Sequence, residues 1–194
     1  FNQRSIYQRE NSAPMKKAPR RVLAEGRYLR MVTENGWEYA ERSRGLEAVA
    51  IIAVTTGGEL ILTEQYRVPL KCNVIDLPAG LVGDEEAGED PLVAAKRELE
   101  EETGYRAARM KKVFSGPPSA GLSNEVVNLL LATGVKKVGD GGGVSGESIT
   151  VHHVPVGQVL AWCRRFEKRT GGMTSPNVIA ALALIAEKKG THKS

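Results

Sequence analysis

Little in this chain could staple it, switch it by redox chemistry or carry it across a membrane. Among its 194 residues are two cysteines, Cys72 and Cys163, and three histidines. The cysteines lie far apart in otherwise apolar segments, so both are expected as buried free thiols of a reducing cytoplasm, with no disulfide framework. No Cys–His pattern accompanies them, and a thiol nucleophile or a zinc site is not expected. The longest apolar runs, 48–54 and 178–186, are well short of the roughly 20 residues that a spanning helix needs, so no membrane anchor is expected. The opening stretch is polar and arginine-rich without an apolar signal core, and it starts at Phe1 rather than Met, so a longer chain upstream is expected.

The formal charge of +4 could suggest nucleic acid, but its distribution argues otherwise. Residues 1–30 hold eight Lys/Arg against Glu10 and Glu25, which leaves the rest of the chain at −2. A basic tail on a near-neutral body reads as a solvated or subunit-contacting arm, because nucleic-acid binding normally needs a continuous basic face. The length suits one domain of moderate size with a small appendage.

Residues 1–20 carry Pro14 and Pro19 and show no periodicity, so they are expected to form an extended arm. Over 27–44 two strand-like runs flank Asn35-Gly36, the strongest short hairpin signal. Residues 1–45 are therefore read as an N-terminal arm and hairpin, and 46–194 as the main domain. A β-branched run over 46–55 turns at Gly57-Gly58 and returns over 59–65. A short strand over 74–77 leads through Pro78-Ala79-Gly80 into an acidic loop.

Asp90 then stands as N-cap before Pro91, and Gly104 ends a helix expected over 91–103. Leu92, Ala95 and Leu99 form its expected core stripe, with the glutamates opposite. Strands over 107–115, 126–133 and 148–154 are separated by two loops, the second rich in glycine and expected to be flexible. Helices over 156–168 and 177–188 follow. Strands mixed with helices at both ends predict an α/β sandwich with a mixed sheet and a small N-terminal antiparallel β unit.

Glu98, Glu101 and Glu102 fall within an arc of about 100° on the helix, while Glu100 points away. Like charges three and four residues apart repel by a few tenths of a kcal/mol per pair, so the cluster needs a counter-charge. Carboxylates of this kind suit a hard cation with oxygen ligands, Mg²⁺ or Mn²⁺ before zinc. His152 and His153 are adjacent on a strand and face opposite sides, so they cannot chelate together; one is expected buried and one exposed.

The spacing is more specific than the charge. Gly83-x5-Glu89-x7-Arg97-Glu98-Leu99-x-Glu101-Glu102-x-Gly104-Tyr105 resembles, without a mismatch, the signature of the Nudix hydrolases, far beyond the false-positive range of a lone glycine motif. The resemblance implies an α/β/α sandwich and divalent ions bridging a diphosphate. It makes Glu98 and Glu102 metal ligands, Glu101 a ligand or water-orienting group, and the Ala79 carbonyl a further ligand. Arg97 and Glu89 would be the pair that clamps the loop, with Gly83 and Gly104 closing the motif.

Other segments are similar to the ADP-ribose pyrophosphatase branch: Trp37-Glu38 with Arg42, Gln65-Tyr66-Arg67, Leu77-Pro78-Ala79-Gly80-Leu81, Gly121-Leu122-Ser123-Asn124 and Glu147. By that likeness Trp37 stacks on the base, and Arg42 and Arg67 contact base and phosphate or ribose. Glu38, Leu81 and Ser123 line the substrate, and Glu147 joins the metal cluster or acts as base beside Glu101 and Glu102. Glu125 is a rival base. The branch usually has proline where this chain has Ala120, and Gly141-Gly142-Gly143-Val144 resembles the related GDP-mannose hydrolases. The resemblance thus implies Mg²⁺-dependent hydrolysis of a nucleoside diphosphate sugar, ADP-ribose first, to AMP and ribose 5-phosphate. GDP-mannose or UDP-glucose hydrolysis, or a non-catalytic ligand-sensing or nucleic-acid-binding module, are the alternatives. A hairpin too small to stand alone suggests a homodimer in which Trp37 reaches the partner's site.

Overall fold

The computed structural model describes residues 19–44, 47–83, 88–144 and 146–190, with side chains to residue 187. Most of the expected arm, the first residue of the strand expected from 46, and residues 84–87 of the acidic loop lie outside these. Strands β1 (Arg21–Glu25), β2 (Leu29–Glu34) and β3 (Trp37–Arg42) form an antiparallel sheet in that order. The hairpin turn is where the sequence put it: Asn35 and Gly36 both take positive φ, 52° and 81°, as the tight turn between twisted strands requires. Strand β1 has no counterpart in the sequence reading, because all five residues are exposed and no alternation marks them; pairing with β2 alone makes it a strand.

Two four-stranded sheets make the body. Strands β4 (Ala48–Ala53), β5 (Glu59–Arg67), β6 (Cys72–Asp76) and β7 (Ala79–Leu81) precede helix α1 (Pro91–Thr103). Strands β8 (Tyr105–Arg106), β9 (Arg109–Gly116), β10 (Val127–Thr133), β11 (Lys136–Lys137) and β12 (Ile149–Pro155) follow it. Helix α2 (Val159–Thr170), strand β13 (Met173–Thr174) and helix α3 (Pro176–Gly190) complete the chain. One sheet runs β7-β4-β10-β9, with β4 and β10 parallel; the other runs β12-β5-β6-β13, with β6 and β13 parallel. A short β8–β11 pair stands apart. Both large sheets are mixed, where the sequence suggested one.

Buried residues alternate along β4 and β5 between two cores. Ala50, Ile52, Leu60 and Leu62 pack with Val159, Cys163 and Phe166 of α2 and Val178 and Ala181 of α3. Val49, Ile51 and Ile61 pack with Ala94, Ala95 and Leu99 of α1. Burial on both faces explains why these strands read as continuous apolar runs rather than alternating ones. Helices therefore cover both sides, and strands outnumber helices among the described residues.

Helix α1 begins as expected, with Asp90 Oδ1 accepting the Leu92 N–H at 2.7 Å. It ends at Gly104, whose φ of 72° suits the left-handed cap. Its buried side is Ala94, Ala95, Leu99, Glu102 and Thr103, so the expected stripe is corrected: Leu92 is exposed, and Glu102 lies inside the buried edge rather than opposite it. Two alanines let the helix approach the sheet closely, and that approach carries Glu102 inward. The α2 segment starts with a 3₁₀ turn over Val156–Gln158. Cys163 is buried as expected, but Cys72 is only half-buried, because its strand ends beside the exposed Arg67. His153 is exposed and lies 5.4 Å from the Tyr105 ring; His152 is half-buried rather than buried, held by Glu64 Oε2 at 2.8 Å and the Trp162 ring.

Candidate active site

Helix α1 turns Glu98 and Glu102 toward the Ala79–Leu81 strand. The Ala79 N–H donates to Glu102 Oε2 at 3.0 Å, fixing that carboxylate against the backbone that precedes the acidic loop. Gly80 lies directly over Glu98; a Cβ there would fall inside the Glu98 carboxylate. The sequence reading ends its strand at Pro78-Ala79-Gly80 and expects loop beyond, so strand β7 is a correction, and the need for Gly80 in particular appears only from the helix–strand approach.

Arg97 organises the outer side of the cluster. Its Nε reaches Glu89 Oε1 at 3.3 Å, and its Nη1 lies 3.0 Å from both Glu98 Oε1 and Glu101 Oε2. Glu89 in turn accepts the Gly83 N–H at 3.1 Å. Gly83 has a φ of 79°, a left-handed conformation that favours glycine. Arg97 and Glu89 are therefore paired, and Glu101 is turned toward the guanidinium. The hydrogen bond from Arg97 holds the Glu89 carboxyl below the usual carboxylate range. Burial opposes the charge of Arg97, but Glu89, Glu98 and Glu101 more than offset it and raise its pKa.

The electrostatics of the inner pair run the other way. Burial pushes Glu102 up to about 8, against the Ala79 hydrogen bond and with repulsion from Glu98 and Glu147. Burial likewise pushes Glu98 up to about 7; Arg97 resists this, and Glu101 and Glu147 add to it. Two carboxylates so placed lack sufficient positive charge. All the donors are oxygens, which fits a hard divalent cation ahead of zinc. Among the described residues no group of three acidic, His or Cys side chains is placed to hold a metal ion. Glu98 and Glu102 nevertheless offer oxygen donors of the right kind, and the Glu147 charge is felt at both.

The glycine-rich loop after β11 brings Glu147 to this place. Val138 and Gly139 donate backbone N–H groups to Gly104 O, at 2.8 and 3.0 Å, while Gly142 N–H reaches Glu102 O at 2.8 Å and Gly143 N–H reaches Glu101 O at 3.0 Å. The loop thereby satisfies carbonyls that the end of α1 leaves open. The expectation of flexibility gives way to a segment tied to the helix.

The proposed base-binding residues lie on the N-terminal sheet and the loop facing it. Ala40 N–H donates to Leu122 O at 2.8 Å, and Ala40 and Ser123 form a bridge. Trp37, 60% exposed, lines an open cleft of about 380 Å³ with Tyr39, Gly121, Ser123 and Asn124. Glu38 is exposed beside it, and Leu81 is half-buried on β7. Arg42 pairs with Glu125, Nε to Oε1 at 2.7 Å, and both line a second cleft of about 480 Å³ with Arg30, Glu41 and Asn128. Arg67 is exposed but close enough to favour the ionised form of Glu102. The structure thus brings Glu98, Glu102, Glu147, Ala79 and Arg67 together and places Trp37, Ser123 and Arg42 along clefts of their own.

A family model described as NUDIX domain matches residues 46–171. The chain is 36% identical over 147 residues to a methanol dehydrogenase activator from Bacillus methanolicus, covering 75% of this chain and 76% of that one. It is 44% identical over 85 residues to an ADP-ribose pyrophosphatase from Bacillus subtilis (strain 168), covering 44% of each, so the match spans under half of that relative's length. A GDP-mannose pyrophosphatase from Cronobacter sakazakii is 32% identical over 130 residues, 63% of this chain and 66% of that one. A solved structure, described as the crystal structure of ADP compounds hydrolase, superposes with a TM-score of 0.68 over 91% of this chain and 95% of that chain, at 21% identity; that likeness shows the fold.

Proposed function

The chain belongs to the Nudix family and is a Nudix hydrolase, and from that premise we propose that it hydrolyses the diphosphate of nucleoside diphosphate sugars, ADP-ribose first, giving AMP and ribose 5-phosphate. The observation that carries this reading is the pair of buried Glu102 and half-buried Glu98 packed against the Ala79–Leu81 strand, its two pKa values raised and its carboxylates under-compensated.

Glu98, Glu102 and Glu147, with the Ala79 carbonyl, would hold Mg²⁺ or Mn²⁺. Such ions, when bound, withdraw charge from a diphosphate and lower the pKa of water. The chain's own groups set the geometry. Ala79 N–H orients Glu102, and Arg97 holds Glu89, Glu98 and Glu101 in one network. Glu147 would take the proton of the attacking water. Glu125 is unsuited to that task, because Arg42 already holds its Oε1. Arg67, whose charge is felt at Glu102, would meet the phosphates; Trp37, with Glu38 and Ser123 near it, would take the base; and Leu81 would line the substrate from β7. Arg42, paired with Glu125, would contact the substrate from the neighbouring cleft.

A homodimer supports this arrangement, because the N-terminal sheet leaves Leu29 and Met31 exposed together on one strand face and a partner would bring Trp37 to a second site. Free thiols at Cys72 and Cys163 fit the cytoplasm, and among the described residues no helix is long and apolar enough to cross a membrane. The likeness to a GDP-mannose pyrophosphatase, together with the glycine run before Val144, favours GDP-mannose as the second reading, with UDP-glucose behind it. Incubating the pure protein with Mg²⁺ and a panel of ADP-ribose, GDP-mannose and UDP-glucose separates these. ADP-ribose should turn over fastest; turnover of none of them would overturn the proposal.

A further inference from the structure

Glycines crowd the segment before Glu147, and they do not do the same work. Gly142, Gly143 and Gly146 all have positive φ, at 106°, 87° and 95°, so an alanine at any of them meets a backbone conformation that L-residues resist. The space around each differs. A Cβ on Gly146 meets nothing within 4 Å, and one on Gly142 meets only Ile149 O at 3.9 Å. A Cβ on Gly143 would stand 2.7 Å from Glu147 Oε2 and 2.8 Å from Glu147 Cβ. The Glu147 side chain occupies the volume that any other residue at 143 would fill.

That volume is fixed in place from both sides. Gly143 N–H donates to Glu101 O at the end of α1, so position 143 cannot retreat without breaking its bond to the metal-binding helix. On the other side Val144 N–H donates to Glu147 Oε2 at 3.3 Å, and Glu147 N–H donates to Val144 O at 3.0 Å. These bonds hold the Glu147 carboxylate in a turn built on Gly143. The Glu147 charge is felt at both Glu98 and Glu102, and Gly142 and Gly143 fasten the turn to the end of the helix that carries them.

We infer that Gly143 is a positioning residue for Glu147: its missing side chain, bonded through its N–H to the end of α1, seats the Glu147 carboxylate beside Glu98 and Glu102. This inference rests on the proposed hydrolysis for its kinetic consequence, but the seating itself is independent of it. Because Gly143 touches no substrate and acts only through Glu147, its effect should fall on the chemical step and not on substrate affinity.

The test compares Gly143→Ala with Gly146→Ala, which carries a similar backbone strain with room to spare. Gly143→Ala should lower kcat by about 100-fold, the scale of an ångström-sized misplacement of a catalytic group, with KM unchanged, and should add nothing to Glu147→Gln in the double variant. Gly146→Ala should keep kcat within about threefold of the parent, because its added Cβ meets nothing within 4 Å. Equal losses in the two variants, or an additive double variant, would overturn the inference. Amide exchange in the metal-free protein gives a second readout that needs no turnover: the Val144 amide should exchange about tenfold faster in Gly143→Ala and at the parental rate in Gly146→Ala. An unchanged Val144 rate in Gly143→Ala would also overturn the inference. A parent protein that turns over no diphosphate sugar would overturn the proposed hydrolysis, and the exchange measurement would still decide the seating.

Discussion

Glu102 is the residue at which burial and chemistry conflict most. It is 7% exposed, and burial lifts its pKa to about 8, so the metal-free fold carries an acid that would ionise readily in water. Glu102→Gln keeps the size and removes the charge. We expect kcat to fall by about two to four orders of magnitude, while the melting temperature of the metal-free protein does not fall. A variant with near-parental kcat would remove Glu102 from the proposed site. The same pKa values set a pH dependence. Glu98 and Glu102 start from 4.5 and rise to about 7 and about 8 in the folded state. Above pH 4.5 the unfolded chain has released protons that the folded chain still holds, so rising pH favours unfolding until both groups have ionised in the fold too. Stability without metal should therefore decline between about pH 5 and pH 8, and Glu98→Gln/Glu102→Gln should lose most of that slope. Melting curves across this range check it; parallel slopes in the two proteins would refute it.

Helix α1 is the element on which the site depends, and its two ends are secured differently. At the N-terminus Asp90 satisfies the Leu92 N–H from its own side chain, a local device that a sequence spells out. Asp90→Ala should cost about 1 kcal/mol, visible as a drop of roughly 2–4 °C in melting temperature for a chain of this size, with KM unaffected. At the C-terminus the carbonyls of Glu101, Glu102 and Gly104 are met by Val138, Gly139, Gly142 and Gly143, more than thirty residues away in the sequence. The acidic signature, the caps and the bounds of α1 were legible because each depends on neighbours within one or two turns. The rotation of α1 was not. Leu92 is more apolar than Ala94, yet Ala94 is buried and Leu92 exposed, since close packing on the sheet selects small residues over greasy ones.

The N-terminal sheet poses the question that belongs to the whole molecule. Glu41, buried among Arg20, Arg30 and Asn124, ties that sheet to the body, while Leu29 and Met31 remain 51% and 44% exposed. If these cover a twofold partner, light scattering should give a dimeric mass, and Leu29→Asp/Met31→Asp should shift it toward monomer; a monomeric parent at working concentration would refute the dimer. The sequence by itself determined the kind of chemistry, because the spacing of Gly83, Glu89, Arg97, Glu98, Glu101, Glu102 and Gly104 is a local pattern on one loop and one helix, and local patterns survive in one dimension. It also determined the hairpin at Asn35-Gly36, since only a few residues accept that turn. Only the tertiary structure decided that Glu102 goes inward while Glu101 turns to Arg97, that Arg42 occupies Glu125, and that the glycine loop is tied down with Glu147 in its turn. Those outcomes depend on how closely α1, β7 and the loop after β11 approach one another, and that distance is set by packing between segments far apart in the chain, where no spacing of letters records it.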